Sequence, residues 1–112
     1  MSIPQLNHAL LLEAPETVSD GAGGYVEGWV VLGTLWAEIT ARTGREAARI
    51  GAPVTRVNYK IVVRGAPFGT PERPSANQRF RMGARIFTID AVTERDPQGR
   101  YLTCYAKEEQ VV

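Results

Sequence analysis

Six basic residues recur at regular spacings between positions 42 and 64: Arg42, Arg45, Arg49, Arg56, Lys60 and Arg64. The first three are three and four residues apart, so on a helix they would share one face. The last three are four residues apart in an alternating segment, so on a strand they would share one side. Such groups bind phosphates or carboxylates. The spacing predicts a surface for an anionic partner, and a solvated basic face is the alternative.

The charge of the chain is unevenly distributed along its length. Residues 1–41 contain five acids and no Lys or Arg, whereas residues 42–85 contain ten bases and two acids, or +8. The whole chain has a formal net charge of only +1. Eleven of the thirteen bases are Arg, which suits bidentate phosphate contacts, although a GC-rich genome would also favour it. The central segment is therefore the candidate site for nucleic acid.

The residue types that perform catalysis are scarce. His8 is the only histidine and Cys104 the only cysteine, and the two lie far apart in sequence. A nucleophilic pair would also require a third group to orient the histidine. One cysteine excludes an internal disulfide and a multi-cysteine metal site, so Cys104 is expected to lie in the core. The sequence predicts a protein that is not an enzyme and uses no cofactor.

Two other patterns resemble ligand sites only weakly. Asp90 and Glu94 are expected to point outward from a strand and Asp96 to lie in a turn, so a solvated edge explains them better than a metal does. The glycine-rich residues 20–24 fit neither the Walker A spacing nor GxGxxG, and no Lys-Ser/Thr follows them. We predict a hairpin turn there and no metal site.

Hydrophobic alternation and turn residues define the elements that would position the basic residues. Strands are predicted at residues 8–13, 25–31, 35–41, 54–64, 78–82, 84–94 and 100–108. The first is expected to end before Pro15, and Gly28 is expected to mark a bulge or a bend. The last three strands form a predicted meander, and the loop at 65–77 is rich in proline and glycine.

A short helix is predicted at residues 43–50. Thr43 can cap its N-terminus, with Glu46 in capping-box position, and Gly51 and Pro53 end it. At about two turns, such a helix is marginal alone. The predicted fold class is mainly β: a small antiparallel β-barrel or sandwich of about six strands with one short inserted helix or loop.

Length and hydropathy indicate one domain over residues 1–112. The start lacks the basic region of a secretory signal, and the longest apolar run is about half of the ~20 residues that a membrane span needs. We expect a soluble cytoplasmic product that does not enter a membrane. Trp29 and Trp36 are expected in the core or at subunit contacts, with base stacking a weaker alternative, and Phe68 is expected exposed or docked on a partner.

An ordered set of short motifs covers nearly the whole chain: LNHALLLE, GAGGYVEGW, Trp36-Ala37 with Glu38, Gly44-Arg45-Glu46, VTRVNYKIVVR, RFRMGARIFTIDAV and YLTCYAKE. In this order the motifs resemble the phage head–tail connector proteins, which are the head completion, adaptor or stopper proteins of tailed phages and gene transfer agents. Each motif is weakly specific alone, and the order carries the resemblance.

The resemblance implies a virion neck protein that is assembled in the bacterial cytoplasm. It implies a homo-oligomeric ring of six or twelve copies, with the portal or an adaptor above and a tail terminator or tail tube below. Packaged double-stranded DNA would occupy the channel, and residues 41–53 would project toward it. The six basic residues named above would then face DNA, while Trp29, Trp36 and Phe68 would contact proteins.

A free-standing nucleic-acid-binding β-barrel is the alternative from a different functional class. Barrels that bind single strands interleave aromatic residues with their basic residues. The exposed side of the predicted strand at 54–64 offers Arg56, Asn58, Lys60 and Arg64, and no aromatic residue. The connector hypothesis is therefore preferred.

Overall fold

The computed structural model describes residues 3–42 and 54–111, which form six strands. These strands are β1 (His8–Ser19), β2 (Tyr25–Ala41), β3 (Val54–Arg64), β4 (Arg79–Met82), β5 (Arg85–Glu94) and β6 (Tyr101–Val111). The helix predicted at residues 43–50 lies outside the described residues. Within the described ranges there is no helix, so none that could cross a membrane.

The six strands close into one barrel in the order β1-β2-β3-β6-β5-β4. Every neighbouring pair is antiparallel, which confirms the predicted mainly β fold. The predicted meander is confirmed because β4, β5 and β6 are consecutive neighbours. In this closed order β6 and β5 lie across the barrel from β1 and β2.

Strand β3 has the predicted alternation except at Val62, which lies on the outer side and is nevertheless buried. Ile61 and Val63 are fully buried, whereas Lys60 and Arg64 are exposed. The buried core draws on every strand and consists of Leu10, Leu12, Ala37, Ile61, Val63, Phe80, Phe87, Ile89, Leu102, Cys104 and Ala106. The two faces of β3 thus serve the core and the surface, as the sequence pattern indicates.

Strands β1 and β2 are longer than predicted. Strand β1 continues through Pro15 to Ser19, and β2 runs unbroken through Gly33. The prediction that β1 ends before Pro15 was wrong because, beyond Glu13, no strand other than β2 among the described residues pairs with it. A strand with a free edge tolerates a proline whose missing N–H faces away from the ladder.

Two register shifts change which residues face the core. Between Leu12 and Glu13 of β1, Leu32 of β2 becomes the extra residue, so the irregularity lies beside Gly33 and not at Gly28 as predicted. A second shift between Ile89 and Ala91 leaves Ala91 exposed and turns Val92 toward the core. Single extra residues of this kind reverse the alternation of a strand.

The outer halves of β1 and β2 form a two-stranded hairpin that we call the arm, residues 14–31. Within the described part of the chain, its residues 14–19 and 25–30 pair only with each other, and Val31 pairs with Glu13 at its base. Its turn is the predicted hairpin connection, in which Asp20 accepts hydrogen bonds from the backbone N–H of Ala22 at 2.8 Å and Gly24 at 3.0 Å. These bonds lower the pKa of Asp20, and Gly21 and Gly23 supply the positive φ angles of the turn.

Candidate nucleic-acid and subunit interfaces

The basic face predicted for DNA lies on the outside of β3 and β6. Lys60 pairs across the strands with Tyr105, and Arg64 pairs with Tyr101. The guanidinium carbon of Arg42, just beyond β2, lies 5.2 Å from the centre of the Tyr105 ring. Cations and aromatic rings therefore alternate on this face, an arrangement that suits phosphate contacts and stacking.

The six residues predicted to face DNA fall into three groups. Arg42, Lys60 and Arg64 are exposed, and no carboxylate among the described residues forms a salt bridge with them. Arg56 is different, because its guanidinium lies 2.8 Å from the carboxylate of Glu109, which cancels most of its attraction for a distant anion. The remaining two, Arg45 and Arg49, lie outside the described residues.

Two buried carboxylates form ion pairs with arginines of the basic segment 42–85. Glu13 is buried and accepts from Arg79 at 2.7 Å, with Arg81 at 3.3 Å. Glu108 is buried and accepts two bonds from Arg85, at 2.8 and 3.0 Å. The +8 of residues 42–85 is therefore partly neutralised by acids from the two flanking segments, and its arginines serve the fold as well as the surface.

The two-residue alternation of β6 could have predicted that Glu108 is buried. Leu102, Cys104 and Ala106 face the core, and Glu108 follows them at the same spacing of two. No comparable signal existed for Glu13, because regular alternation places position 13 on the side of β1 opposite to Leu10 and Leu12, and its burial there depends on Arg79 and Arg81 of β4. The Glu13 site was therefore missed for a structural reason.

The Glu108 cluster lies at the barrel end where β2 finishes and β3 begins. Tyr59 donates to Glu108 at 3.2 Å, and its ring meets Phe87 edge to face at 5.2 Å. Burial, followed by the bond to Glu108, raises the pKa of Tyr59, and the bond to Glu108 raises the pKa of Arg85. The cluster joins β3, β5 and β6 and fixes the strands that carry the basic face.

The three residues predicted to contact proteins are all exposed: Trp29 by 41%, Trp36 by 58% and Phe68 by 82%. None belongs to the buried core, so the alternative of core tryptophans was wrong. The guanidinium carbon of Arg79 lies 3.9 Å from the Trp29 ring centre, and that of Arg73 lies 3.6 Å from Phe68. Each ring has an arginine over one of its faces, and its remaining apolar surface is available to a partner.

The residues considered for catalysis and metal binding are buried in the core, begin a strand or bond to neighbouring groups of the fold. Cys104 is fully buried and His8 begins β1. Asp90 lies 3.5 Å from the ammonium of Lys107, and Asp96 accepts from the backbone N–H of Tyr101. In residues 3–42 and 54–111 no three His, Cys, Asp or Glu side chains are grouped to hold a metal ion.

Cys104 is expected to resist alkylation in the folded protein. Burial raises the pKa of its thiol from the ordinary 9.0 to about 12, so almost no thiolate exists at pH 8. The native state keeps the proton, so this group stabilises the fold below pH ~9 and the contribution is lost as the pH rises toward 12. Iodoacetamide labelling followed by mass spectrometry should show reaction only in denaturant. Rapid labelling of native protein would contradict the burial.

Comparison with known proteins supports a relationship over the entire length. The family model described as phage head completion protein matches residues 1–109. A chain in the structure "Virion of native gene transfer agent (GTA) particle" is 50% identical, with a TM-score of 0.84, over 98% of this chain and 100% of that one. No curated protein matches.

A second solved structure supports the fold alone. It is the solution structure of a Shigella flexneri 2a protein, which is 22% identical, has a TM-score of 0.65 and covers 96% of both chains. The family match and the 50% identity are stronger evidence, because they extend over nearly every described strand. The chain therefore belongs to the phage head completion protein family.

Proposed function

We propose that the protein is a structural, non-enzymatic subunit of a virion neck. Copies form a ring between the portal or adaptor and the tail, join head to tail and help to retain packaged DNA. The observation that carries this proposal is the 50% identity, over nearly the whole chain, to a component of a gene transfer agent virion. The resemblance of the ordered motifs to connector proteins supports a position in the neck.

The DNA-facing part of the ring is proposed to comprise the basic face and the segment beside it. Arg42, Lys60 and Arg64 are exposed, and Arg45 and Arg49 add two charges in sequence. Repeated around a ring, these groups would place positive charge along a channel at phosphate-binding positions. Contacts of this kind are independent of base sequence and weaken with salt.

Protein partners are proposed to bind the exposed rings. Trp36 lies on β2 near the basic face, whereas Phe68 lies in the loop between β3 and β4. Large apolar side chains at this exposure are typical of interaction surfaces. We assign them to contacts with the portal or adaptor on one side and the tail terminator or tube on the other.

Deleting the gene in a producing cell tests the proposal. Tailless heads whose DNA is open to added nuclease are expected, and the wild-type gene supplied in trans should restore tailed particles. An Arg45→Glu/Arg49→Glu variant should enter the particle and yet lose DNA, because like charges would repel at the channel. Normal tailed particles from the deletion strain would overturn the proposal.

A free-standing nucleic-acid-binding module is the second candidate, and one observation favours it. Tyr105 lies beside Lys60 and beneath Arg42, so the face has the aromatic component that β3 alone lacked. Tight binding of single strands by the isolated chain, lost in Arg56→Ala/Lys60→Ala but kept in Arg45→Ala/Arg49→Ala, would favour this candidate. Binding that is weak and insensitive to both variants would eliminate it.

A further inference from the structure

Both faces of the arm are apolar and exposed. Cross-strand partners point to the same side, so one face presents Val18, Val26 and Val30. The other presents Tyr25, Trp29 and Val31, and all six are exposed, Tyr25 by 74%. A two-stranded ribbon is marginally stable alone, and a contiguous apolar surface of this kind marks an interface. The arm is therefore built to be covered.

The charge of the arm indicates what covers it. Residues 14–31 contain Glu16, Asp20 and Glu27 and no basic residue. The bonds within the turn keep Asp20 ionised, because they lower its pKa. A partner surface that is apolar and basic complements this composition, and an acidic surface opposes it.

A groove of matching character lies beside the turn between β5 and β6. Ile3 and Pro4 of the N-terminal segment form one wall, and Pro97 and Tyr101 belong to the other. The groove has a volume of about 220 Å³, and its lining includes two bases, Arg95 and Arg100, and one acid, Asp96, so its formal charge is positive by one. Ile3 is 80% exposed, so the floor and rim offer apolar contact as well as charge.

The N-terminal wall of the groove is fixed to the barrel. The backbone N–H of Gln5 donates to Glu38 of β2 at 2.9 Å, and Pro4 is buried. The opposite wall is fixed by the turn itself, where Gly99 donates to Asp96 and Arg95 donates to Tyr101 through the backbone. Both walls exist before any partner binds, which lowers the entropic cost of docking.

The arm and the groove are two different patches of one chain. The arm belongs to β1 and β2, whereas the groove lies between the N-terminal segment and the turn of β5 and β6. Two different complementary patches on one chain produce a head-to-tail contact, and such contacts generate rings when the rotation closes. We propose that the arm of each copy docks in the groove of the next copy of this chain. This inference rests on the ring proposed above.

Crosslinking in assembled particles tests this contact. The variant Val18→Cys/Ile3→Cys places one thiol on the arm and one at the groove, while buried Cys104 stays unreactive. A short bismaleimide should convert the chains of a neck into covalent multimers, extending on a denaturing gel to the full copy number of the ring. The matched control, Val18→Cys/Ala84→Cys, moves the second thiol to the exposed turn between β4 and β5, at the other end of β5.

The outcomes separate this inference from the proposed function. Multimers from the first variant, with none above the level of Val18→Cys alone from the control, support docking in the groove. If the chain is present in particles and the first variant gives no multimers, or the control gives as many, the docking is overturned and the neck function stands. Particles that lack the chain altogether would overturn the proposed function. Crosslinks to a different protein would assign the arm to that protein and overturn the inference.

Discussion

Replacing Arg85 with methionine is expected to lower the free energy of unfolding by about 3 kcal/mol at pH 8. Arg85 makes two hydrogen bonds with Glu108, whose side chain is only 3% exposed. The variant removes this guanidinium, whose side chain is 42% exposed, and leaves the buried carboxylate without that ion pair, so water that enters the vacated space replaces the lost bonds only in part. Chemical denaturation followed by fluorescence measures the change, since a single small domain is expected to unfold in two states.

The effect of Arg85→Met has a defined pH dependence. Without the guanidinium, the buried Glu108 carboxylate loses the opposite charge that favours its ionised form, so burial favours the protonated form. A carboxyl group with a raised pKa stabilises the fold when protonated, and that contribution is lost as the pH rises through the folded pKa. The difference between variant and wild type should therefore narrow from pH 8 to pH 5. A difference that is independent of pH would contradict the assigned role of Glu108.

The exposed ion pair of β3 and β6 supplies a matched control. Arg56 and Glu109 are also 2.8 Å apart, but the side chain of Glu109 is 51% exposed. Arg56→Met makes the same chemical change, and we expect it to alter stability by less than about 1 kcal/mol. Equal losses from Arg85→Met and Arg56→Met would show that burial of the carboxylate does not set the energy.

Replacing Phe87 with alanine is expected to destabilise the protein by about 3–5 kcal/mol. The Phe87 ring is fully buried, meets Tyr59 edge to face at 5.2 Å and lies 4.9 Å from the guanidinium of Arg85. The change leaves a cavity beneath the Glu108 cluster as well as removing apolar contacts. Phe68→Ala is the control, since Phe68 is 82% exposed, and should lose less than about 1 kcal/mol. Similar losses at both positions would contradict the assigned core.

Local sequence patterns predicted the strand that pairs on both sides, whereas the extent of β1 depended on which strands flank it in the fold. The alternation of β3 correctly placed Ile61 and Val63 in the core, because they have neighbouring strands on either side, but it did not predict that Val62 on the outer side is buried as well. The rule that a proline ends a strand failed at Pro15, since only β2 flanks that part of β1. Whether an edge is free cannot be derived from local sequence.

The candidate site was predicted in part. The exposed cations of β3 were found by spacing, but Tyr101 and Tyr105 were not associated with them, because cross-strand neighbours depend on the order of strands in the barrel. The count of +8 in residues 42–85 overstated the available charge for the same reason. Arg79 is 66 positions from Glu13 in the sequence, so a count of charges by segment does not detect their ion pair.

Electron cryo-microscopy of particle necks, produced with this chain, tests the central claim most directly. The account predicts a closed ring of six-stranded barrels between the portal and the tail, with the end that carries the basic face of β3 turned toward DNA density in the channel. Density that places the chain in the capsid shell or the tail tip would contradict the account. A neck that is complete without this chain would contradict it equally.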